Sequence, residues 1–188
     1  MRLSVPRFRP IPPEEWSGEA KEALSPVGAG SFPALNIFRT LANYPKLAKR
    51  WMVFANHVLG KNSLPPRERE ILILRIGWLC RAEYEWAQHV VIVKREGLSD
   101  EEIARIGAGP DAPGWSELDR ALLRATDELH RDAFVSDATW SALAKRLNPQ
   151  QLMDVVFTVG NYNLVSMALN TFGVQLDPGL SGFPAGRS

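Results

Sequence analysis

The sequence predicts an all-α protein with a single domain. Segments bounded by Pro, Gly and capping residues carry apolar side chains at helical spacing, and no segment shows a convincing period-two strand pattern. The run Val90 to Val93 is β-branched, but the apolar spacing and the caps around it favour a helix. A chain of 188 residues with 45% hydrophobic content is long enough for one well-filled core and too short to favour two.

Both ends of the chain are predicted to lie outside the helical domain. Residues 1–12 interleave prolines with arginines, which favours an extended arm. Residues 177–188 are rich in Gly and Pro, which break helices, and are predicted to form a tail. The domain therefore spans residues 13–176.

The first part of this domain is predicted to contain short helices. A helix is plausible from Pro13 to Leu24, and the Gly- and Pro-containing stretch at 25–33 predicts a loop. Two further helices are expected from Asn36 to Ala42 and from Pro45 to about Leu59.

The central and C-terminal helices have clearer boundaries. Pro65 and Pro66 fit the start of a helix that runs to about Leu79, because a missing N–H costs nothing in the first turn. The next helix runs from near Arg81 to Glu96, and Gly97 supplies its left-handed cap. Ser99 and Glu102 form a capping box for the one after. The last three helices are predicted to open at Ser116, Ser136 and Asn148 and to end near Arg131, Leu147 and Phe172.

The composition excludes several classes of function. Lysine plus arginine number 22 against 21 for aspartate plus glutamate, with no long run of one sign, so no nucleic-acid partner is expected. The single cysteine, Cys80, excludes an internal disulfide framework and is typical of a cytoplasmic protein. His57 and His130 lie in no recognisable metal pattern, so neither metal nor cofactor is predicted. No signal peptide and no membrane span of roughly 18 apolar residues is evident.

Three ionisable residues in an apolar helical hairpin form the candidate catalytic site. Glu85 and His89 are four residues apart, so they share a helix face and can hydrogen-bond as a general base requires, although such pairs also occur on solvated faces. Glu70 shares a face with Gly77 on the preceding helix and could meet His89 across the hairpin. Equally, Glu70 could serve the helix dipole or pair with a neighbouring arginine.

Other candidates have a structural explanation beside the functional one. Cys80 is expected on the opposite face from His89, which favours a small core residue over a nucleophile. Tyr84 and Trp86 could line a substrate pocket or belong to the core. Asn163 belongs to a polar stripe that could bind a ligand, although contacts to a neighbouring helix are favoured.

Three motifs in this order, R-E-R-E-x-x-I-L, Y-E-W-x-x-H and E-G-L-S-D-E-E-I, resemble the carboxymuconolactone decarboxylase family, which includes the alkylhydroperoxidase D-like proteins. The resemblance covers roughly residues 35–175. The peroxidase branch of that family carries a glutamate, a C-x-x-C pair and a histidine. Glu70 and His89 take the first and last positions, but Ala82 and Glu85 replace the two cysteines. The redox dithiol is therefore absent, and peroxide reduction through an internal disulfide is excluded.

The resemblance implies cofactor-free acid/base chemistry, either decarboxylation or isomerisation, on a small carboxylated or lactone substrate. His89 would be the general acid, Glu85 would orient it, and Glu70 would relay the proton or hold the lactone. One alternative is alkyl hydroperoxidase activity that uses Cys80 with an external thiol. Another is a non-enzymatic binding protein. The family also implies a homo-oligomer, either a dimer, a trimer or a hexamer.

Overall fold

The computed structural model describes residues 3–28 and 35–184, and over these ranges it is helical without a strand. The predicted all-α fold is confirmed. A short 3-10 helix spans Pro13–Glu15. The α-helices are α1 Gly18–Gly28, α2 Asn36–Leu41, α3 Pro45–Gly60, α4 Pro66–Leu79, α5 Glu83–Arg95, α6 Asp100–Ala108, α7 Glu117–Asp132, α8 Asp137–Ala144 and α9 Pro149–Phe172.

The first predicted helix is divided into two pieces. The 3-10 turn ends at Trp16, whose indole donates to the carbonyl of Ile11, and Ser17 then starts α1 by accepting from the backbone N–H of Ala20. Helix α1 continues to Gly28, so residues 25–28 are helical where a loop was predicted. The rest of that predicted loop, residues 29–33, lies outside the described residues.

The predicted capping signals are confirmed. Capping boxes start α6 at Ser99 and α9 at Asn148, and the side chains of Ser116 and Ser136 cap α7 and α8. Gly97 has a φ of 93°, the left-handed conformation expected of it. These signals work from sequence because each satisfies backbone groups within one turn of its own position.

Helix α4 lies at the centre of the molecule. Its residues from Glu70 to Gly77 are all buried, and it packs against α5, α7 and α9. The buried Arg75 joins it to its neighbours, because the guanidinium donates to Asp127 of α7 and to the carbonyl of Ile106 in α6. A helix that is buried on all sides holds its polar side chains rigidly.

The chain ends pack onto this helical core. In the N-terminal arm, the N–H of Arg7 donates to the carbonyl of Phe172, and the rings of Phe8 and Phe172 lie edge to face at 5.1 Å. In the C-terminal segment, Asp177 accepts hydrogen bonds from the side chains of Tyr84 and Gln88. The ends therefore contribute to the surroundings of α2, α5 and α9.

Among the described helices, α9 is long and apolar enough to cross a membrane by length and composition, and an 18-residue stretch of it has a mean hydropathy of 1.3. Of that stretch, 56% is buried inside the protein. This burial is explained by the packing of α9 against α4 and α7. Helix α9 is the long core helix of the bundle.

Candidate functional site

Glu70 and His89 meet across the α4–α5 hairpin, one of the arrangements that the sequence left open. Nδ1 of His89 lies 2.7 Å from Oε2 of Glu70, and both side chains are buried. The other carboxylate oxygen of Glu70 accepts from the guanidinium of Arg69 at 3.2 Å. Glu70 thus fixes the orientation of the imidazole and makes Nδ1 the protonated nitrogen. Nε2, which has no hydrogen bond to the described residues, is left for a ligand.

The predicted hydrogen bond between Glu85 and His89 is wrong. Oε2 of Glu85 accepts instead from the hydroxyl of Ser166 in α9 at 2.8 Å, and Oε1 has no hydrogen-bond partner among the described residues. Gly77 permits this arrangement, because a Cβ at that position would lie 2.8 Å from Oε1 of Glu85. The shared helix face brings Glu85 and His89 to the same side, but close packing on α4 turns the carboxyl group away.

Burial raises the pKa of the Glu85 carboxyl well above its usual value of 4.5. The hydrogen bond from Ser166 opposes this effect, and the negative charge of Glu70 adds to it. Burial therefore favours the protonated form of Glu85, whereas the carboxylate of Glu70 is paired with Arg69 and His89. Carboxyl groups with opposed surroundings of this kind divide acid and base roles between them.

A cavity of about 320 Å³ adjoins these groups, bounded by α2, α3, α5 and α9. His89 and Glu85 line it, whereas Glu70 lies behind His89 with no exposed surface. Most of the cavity wall is apolar, with Phe38 from α2 and Met52 from α3 among the lining residues. The volume suits a small organic molecule.

Two polar side chains of this cavity were not predicted. Asn161 accepts a hydrogen bond from the indole N–H of Trp51 at 3.2 Å, and since an indole only donates, the amide oxygen faces Trp51 and the NH₂ group is left over. The ring of Tyr162 lies edge to face with His89, with 4.9 Å between centroids. Burial and the charges of Glu70 and Glu85 raise the pKa of its phenol well above the usual value. Both side chains can donate to a ligand.

Tyr84 does line the cavity, as predicted, but its hydroxyl is engaged elsewhere. It donates to Asp177 at 2.5 Å and accepts from the backbone N–H of Ile37. Burial, together with the hydrogen bond to Asp177, raises its pKa. Gln88, which also lines the cavity, donates to the same carboxylate at 2.6 Å. These contacts tie α2 and the C-terminal segment to α5 and form one wall of the site.

The predicted substrate contacts of Trp86 and Asn163 do not fit this cavity. Trp86 is buried against Trp78 and Phe183, at ring distances of 5.1 and 5.5 Å. The amide oxygen of Asn163 accepts from the thiol of Cys80 at 3.1 Å. Asn163 lies two residues after Asn161, which places it on the opposite face of α9.

The spacing of residues along α9 does contain a pattern that could have identified Asn161 from the sequence. Asn161, Val165 and Leu169 follow one another at four-residue intervals and all line the cavity. A polar residue in the first position of an otherwise apolar buried stripe is the pattern that would have identified Asn161. The polar stripe that begins at Asn163 serves contacts between helices instead, since Asn170 donates to the carbonyl of Cys80.

Cys80 does not line the cavity that contains His89. It ends α4 and is only half-buried, so it is not a fully enclosed core residue. Its sulfur is 3.8 Å from Nδ1 of His130. No group of three or more His, Cys, Asp or Glu side chains in the described ranges could hold a metal ion.

Comparisons with known proteins show the fold and match part of the chain to a family. Residues 45–128 match the model of the carboxymuconolactone decarboxylase family. No curated protein matches the sequence. A solved structure called an alkylhydroperoxidase AhpD core, an uncharacterized peroxidase-related protein from Ralstonia eutropha JMP134, superposes with a TM-score of 0.80 at 16% identity, covering 94% of each chain.

Two further structures are similar at low identity. The protein of unknown function ATU0492 from Agrobacterium tumefaciens gives a TM-score of 0.68 at 21% identity, covering 73% of this chain and 94% of its own. A variant of the debrominase Bmp8 in complex with 2,3,4-tribromopyrrole gives 0.67 at 13% identity, covering 85% and 82%. These likenesses show the fold. The chain has the fold of these alkylhydroperoxidase D-like structures, and its residues 45–128 are similar to the carboxymuconolactone decarboxylase family.

Proposed function

We propose that this protein is a cofactor-free acid/base enzyme that decarboxylates or isomerises a small carboxylated or lactone substrate. The observation that carries the proposal is the buried Glu70–His89 pair at the wall of a cavity of about 320 Å³. A non-enzymatic binding protein that keeps only the fold would not need a carboxylate-held imidazole beside a ligand-sized cavity. The family match is consistent with this chemistry.

The three ionisable groups would have different roles. His89 would exchange a proton with the substrate through Nε2, since Nδ1 is taken by Glu70. Glu70 has no exposed surface and would act through His89, so it is a positioning residue. Glu85 would contribute a neutral acid to the cavity wall, held by Ser166, and it would not orient the imidazole.

The test of this proposal measures proton transfer directly. The protein is incubated in deuterated water with a panel of small lactones and carbonyl compounds, and deuterium entry next to the carbonyl is followed by NMR. We expect His89→Gln to lower the rate by about 100-fold or more, because it removes the group that exchanges the proton. Circular dichroism should show unchanged helicity.

A matched control is His57, a histidine that does not line the cavity. His57 is 54% exposed and faces Asp154 on the surface, so His57→Gln should leave the exchange rate unchanged. Exchange by His89→Gln at the wild-type rate would remove the proposal.

A second candidate is a thiol-dependent peroxidase that uses Cys80. The specific observation in its favour is the 3.8 Å distance between the Cys80 sulfur and Nδ1 of His130, since an imidazole can accept the thiol proton. The thiolate would reduce a hydroperoxide to an alcohol and become a sulfenic acid, and two external thiols would then return it to the thiol as they form a disulfide. Peroxide consumption that is equal in wild type and Cys80→Ser would exclude this candidate.

A further inference from the structure

We propose that the cavity beside His89 binds a neutral, largely apolar carbonyl compound about the size of a single ring, and that it does not bind a carboxylate. The inference rests on the proposed function, because it assigns the substrate class of the same site. Of the two substrate classes in the proposed function, it favours an uncharged lactone or related carbonyl compound over a carboxylated substrate.

The wall of the cavity offers no fixed positive charge. None of the described residues that line it is a lysine or an arginine. Its acidic member, Glu85, is fully enclosed and held by the hydroxyl of Ser166. A substrate carboxylate would therefore be transferred into this site without a cationic partner, which is costly for a buried charge.

Arg69 and a protonated His89 are both paired with Glu70. The guanidinium of Arg69 is directed to Glu70 and does not line the cavity. When His89 is protonated, its charge is balanced by the carboxylate of Glu70 at 2.7 Å. A second carboxylate in the cavity would have to compete with Glu70 for the same imidazolium.

The remaining polar groups of the cavity wall can donate hydrogen bonds to the carbonyl oxygen of a ligand. Asn161 has its amide oxygen fixed by Trp51, so its NH₂ group is a neutral donor. The hydroxyl of Tyr162 lies in the same wall and has no hydrogen bond to the described residues. Neutral donors polarise a carbonyl without attracting an anion. The surrounding surface, with Phe38, Met52 and Val165, favours an apolar ring.

This substrate class favours isomerisation over decarboxylation. A C–H bond next to the carbonyl would break, the proton would pass to Nε2 of His89, and the electron pair would move into the enolate. In a β,γ-unsaturated carbonyl compound, Nε2 would then deliver a proton to the γ carbon as the double bond moves into conjugation, so no atom is gained or lost. No oxidant, reductant or leaving group is required.

The experiment compares two probes of nearly the same shape that differ in charge, acetophenone and benzoate, by titration calorimetry of the full chain near neutral pH. We expect acetophenone to bind about ten-fold more tightly, because benzoate would lack a counter-ion. In Ala55→Lys, which places an ammonium group in the cavity wall, benzoate should gain about ten-fold in affinity. Val91→Lys is the control, since Val91 is exposed on α5 and does not line the cavity.

The experiment also separates this inference from the proposed function. His89→Gln should keep the preference for acetophenone even though it loses proton transfer, because the preference comes from the wall. Equal affinity for the two probes, tighter binding of benzoate or no binding of either to the wild type would overturn the inference. None of these results depends on the exchange rate by which the proposed function is judged.

Discussion

Two glutamates on neighbouring helices show how surroundings decide the state of a side chain. Glu70 has a guanidinium and an imidazole as partners, which stabilise its charge. Glu85 has one hydroxyl donor and an oxygen without any partner in the described residues. Their side chains are chemically identical, but one is held by Arg69 and His89, whereas burial favours the protonated form of the other.

The role of Glu70 as a positioning residue can be tested by Glu70→Gln. We expect the exchange rate to fall by about 10-fold to 100-fold, because the imidazole loses the carboxylate that fixes its tautomer. Glu68→Gln, a change two residues earlier in α4, is the control and should keep the wild-type rate. An exchange rate in Glu70→Gln equal to that of Glu68→Gln would contradict the positioning role.

The raised pKa of Glu85 predicts a specific pH dependence of stability. Above pH 4.5 the unfolded chain loses this proton while the folded protein keeps it, so folding binds a proton and the free energy of unfolding falls as pH rises toward the raised pKa. Glu85→Gln should remove this contribution and become progressively more stable than wild type with rising pH. Urea unfolding over a pH series measures it.

The exposed Glu101 offers a matched control for that measurement. Glu101→Gln should keep the wild-type dependence on pH. If Glu85→Gln and wild type lose stability in parallel as pH rises, the carboxyl group of Glu85 is ionised in the folded protein and its assigned state is wrong.

At the scale of elements, the α4–α5 hairpin is shaped by a tight turn and a close contact. Arg81 has a φ of 54° in the turn, which lets α5 start at Glu83, two residues later than predicted. Gly77 then allows the side chain of Glu85 to lie against α4. The pair Glu70 and His89 can meet because the hairpin closes this tightly.

Two helical glycines should therefore respond differently to alanine. Gly77→Ala should destabilise the protein by about 1–3 kcal/mol, because its Cβ would collide with the enclosed carboxyl group of Glu85. Gly160→Ala in α9 meets nothing within 4 Å and should stabilise it by about 0.5–1 kcal/mol. Chemical unfolding of both variants measures these changes in the free energy of unfolding. Effects of the same sign would show that helix propensity, and not packing, dominates at Gly77.

At the scale of the whole molecule, an apolar surface lies on α3 and α9. Phe54 and Phe157 bring the two helices together there, with 6.0 Å between ring centroids. Val53, Leu164 and Met167 extend the exposed apolar area. Surfaces of this kind are typical of contacts with another protein, so we expect the homo-oligomer that the family resemblance implies to form through this face.

This expectation is testable by Phe157→Glu. Charge in the centre of the apolar face should convert the oligomer to a monomer, as measured by light scattering after size-exclusion chromatography. Phe134 is 64% exposed on a different part of the surface, and Phe134→Glu should leave the mass unchanged. A wild-type protein that is already monomeric would contradict the expectation.

The sequence by itself determined the helices and the resemblance to a family. The caps at Ser99, Ser116 and Asn148 and the proline start of α4 are local signals, and they identify helix ends without knowledge of the fold. The family resemblance placed Glu70 and His89 in one candidate site, but it left open whether the two side chains meet. The first helix was predicted less well, because the break after Trp16 depends on a contact with Ile11 that spacing does not show.

Only the tertiary structure decided which partners the site residues have. Whether Glu85 meets His89 or Ser166 depends on how α4, α5 and α9 cross, and a shared helix face leaves both outcomes open. The choice of Asn161 over Asn163 depends on the rotation of α9 about its axis against α3. The uncharged wall of the cavity likewise results from four helices that converge, each of which carries charge elsewhere on its surface. Local sequence specifies the helices, but the chemistry of the site follows from their packing.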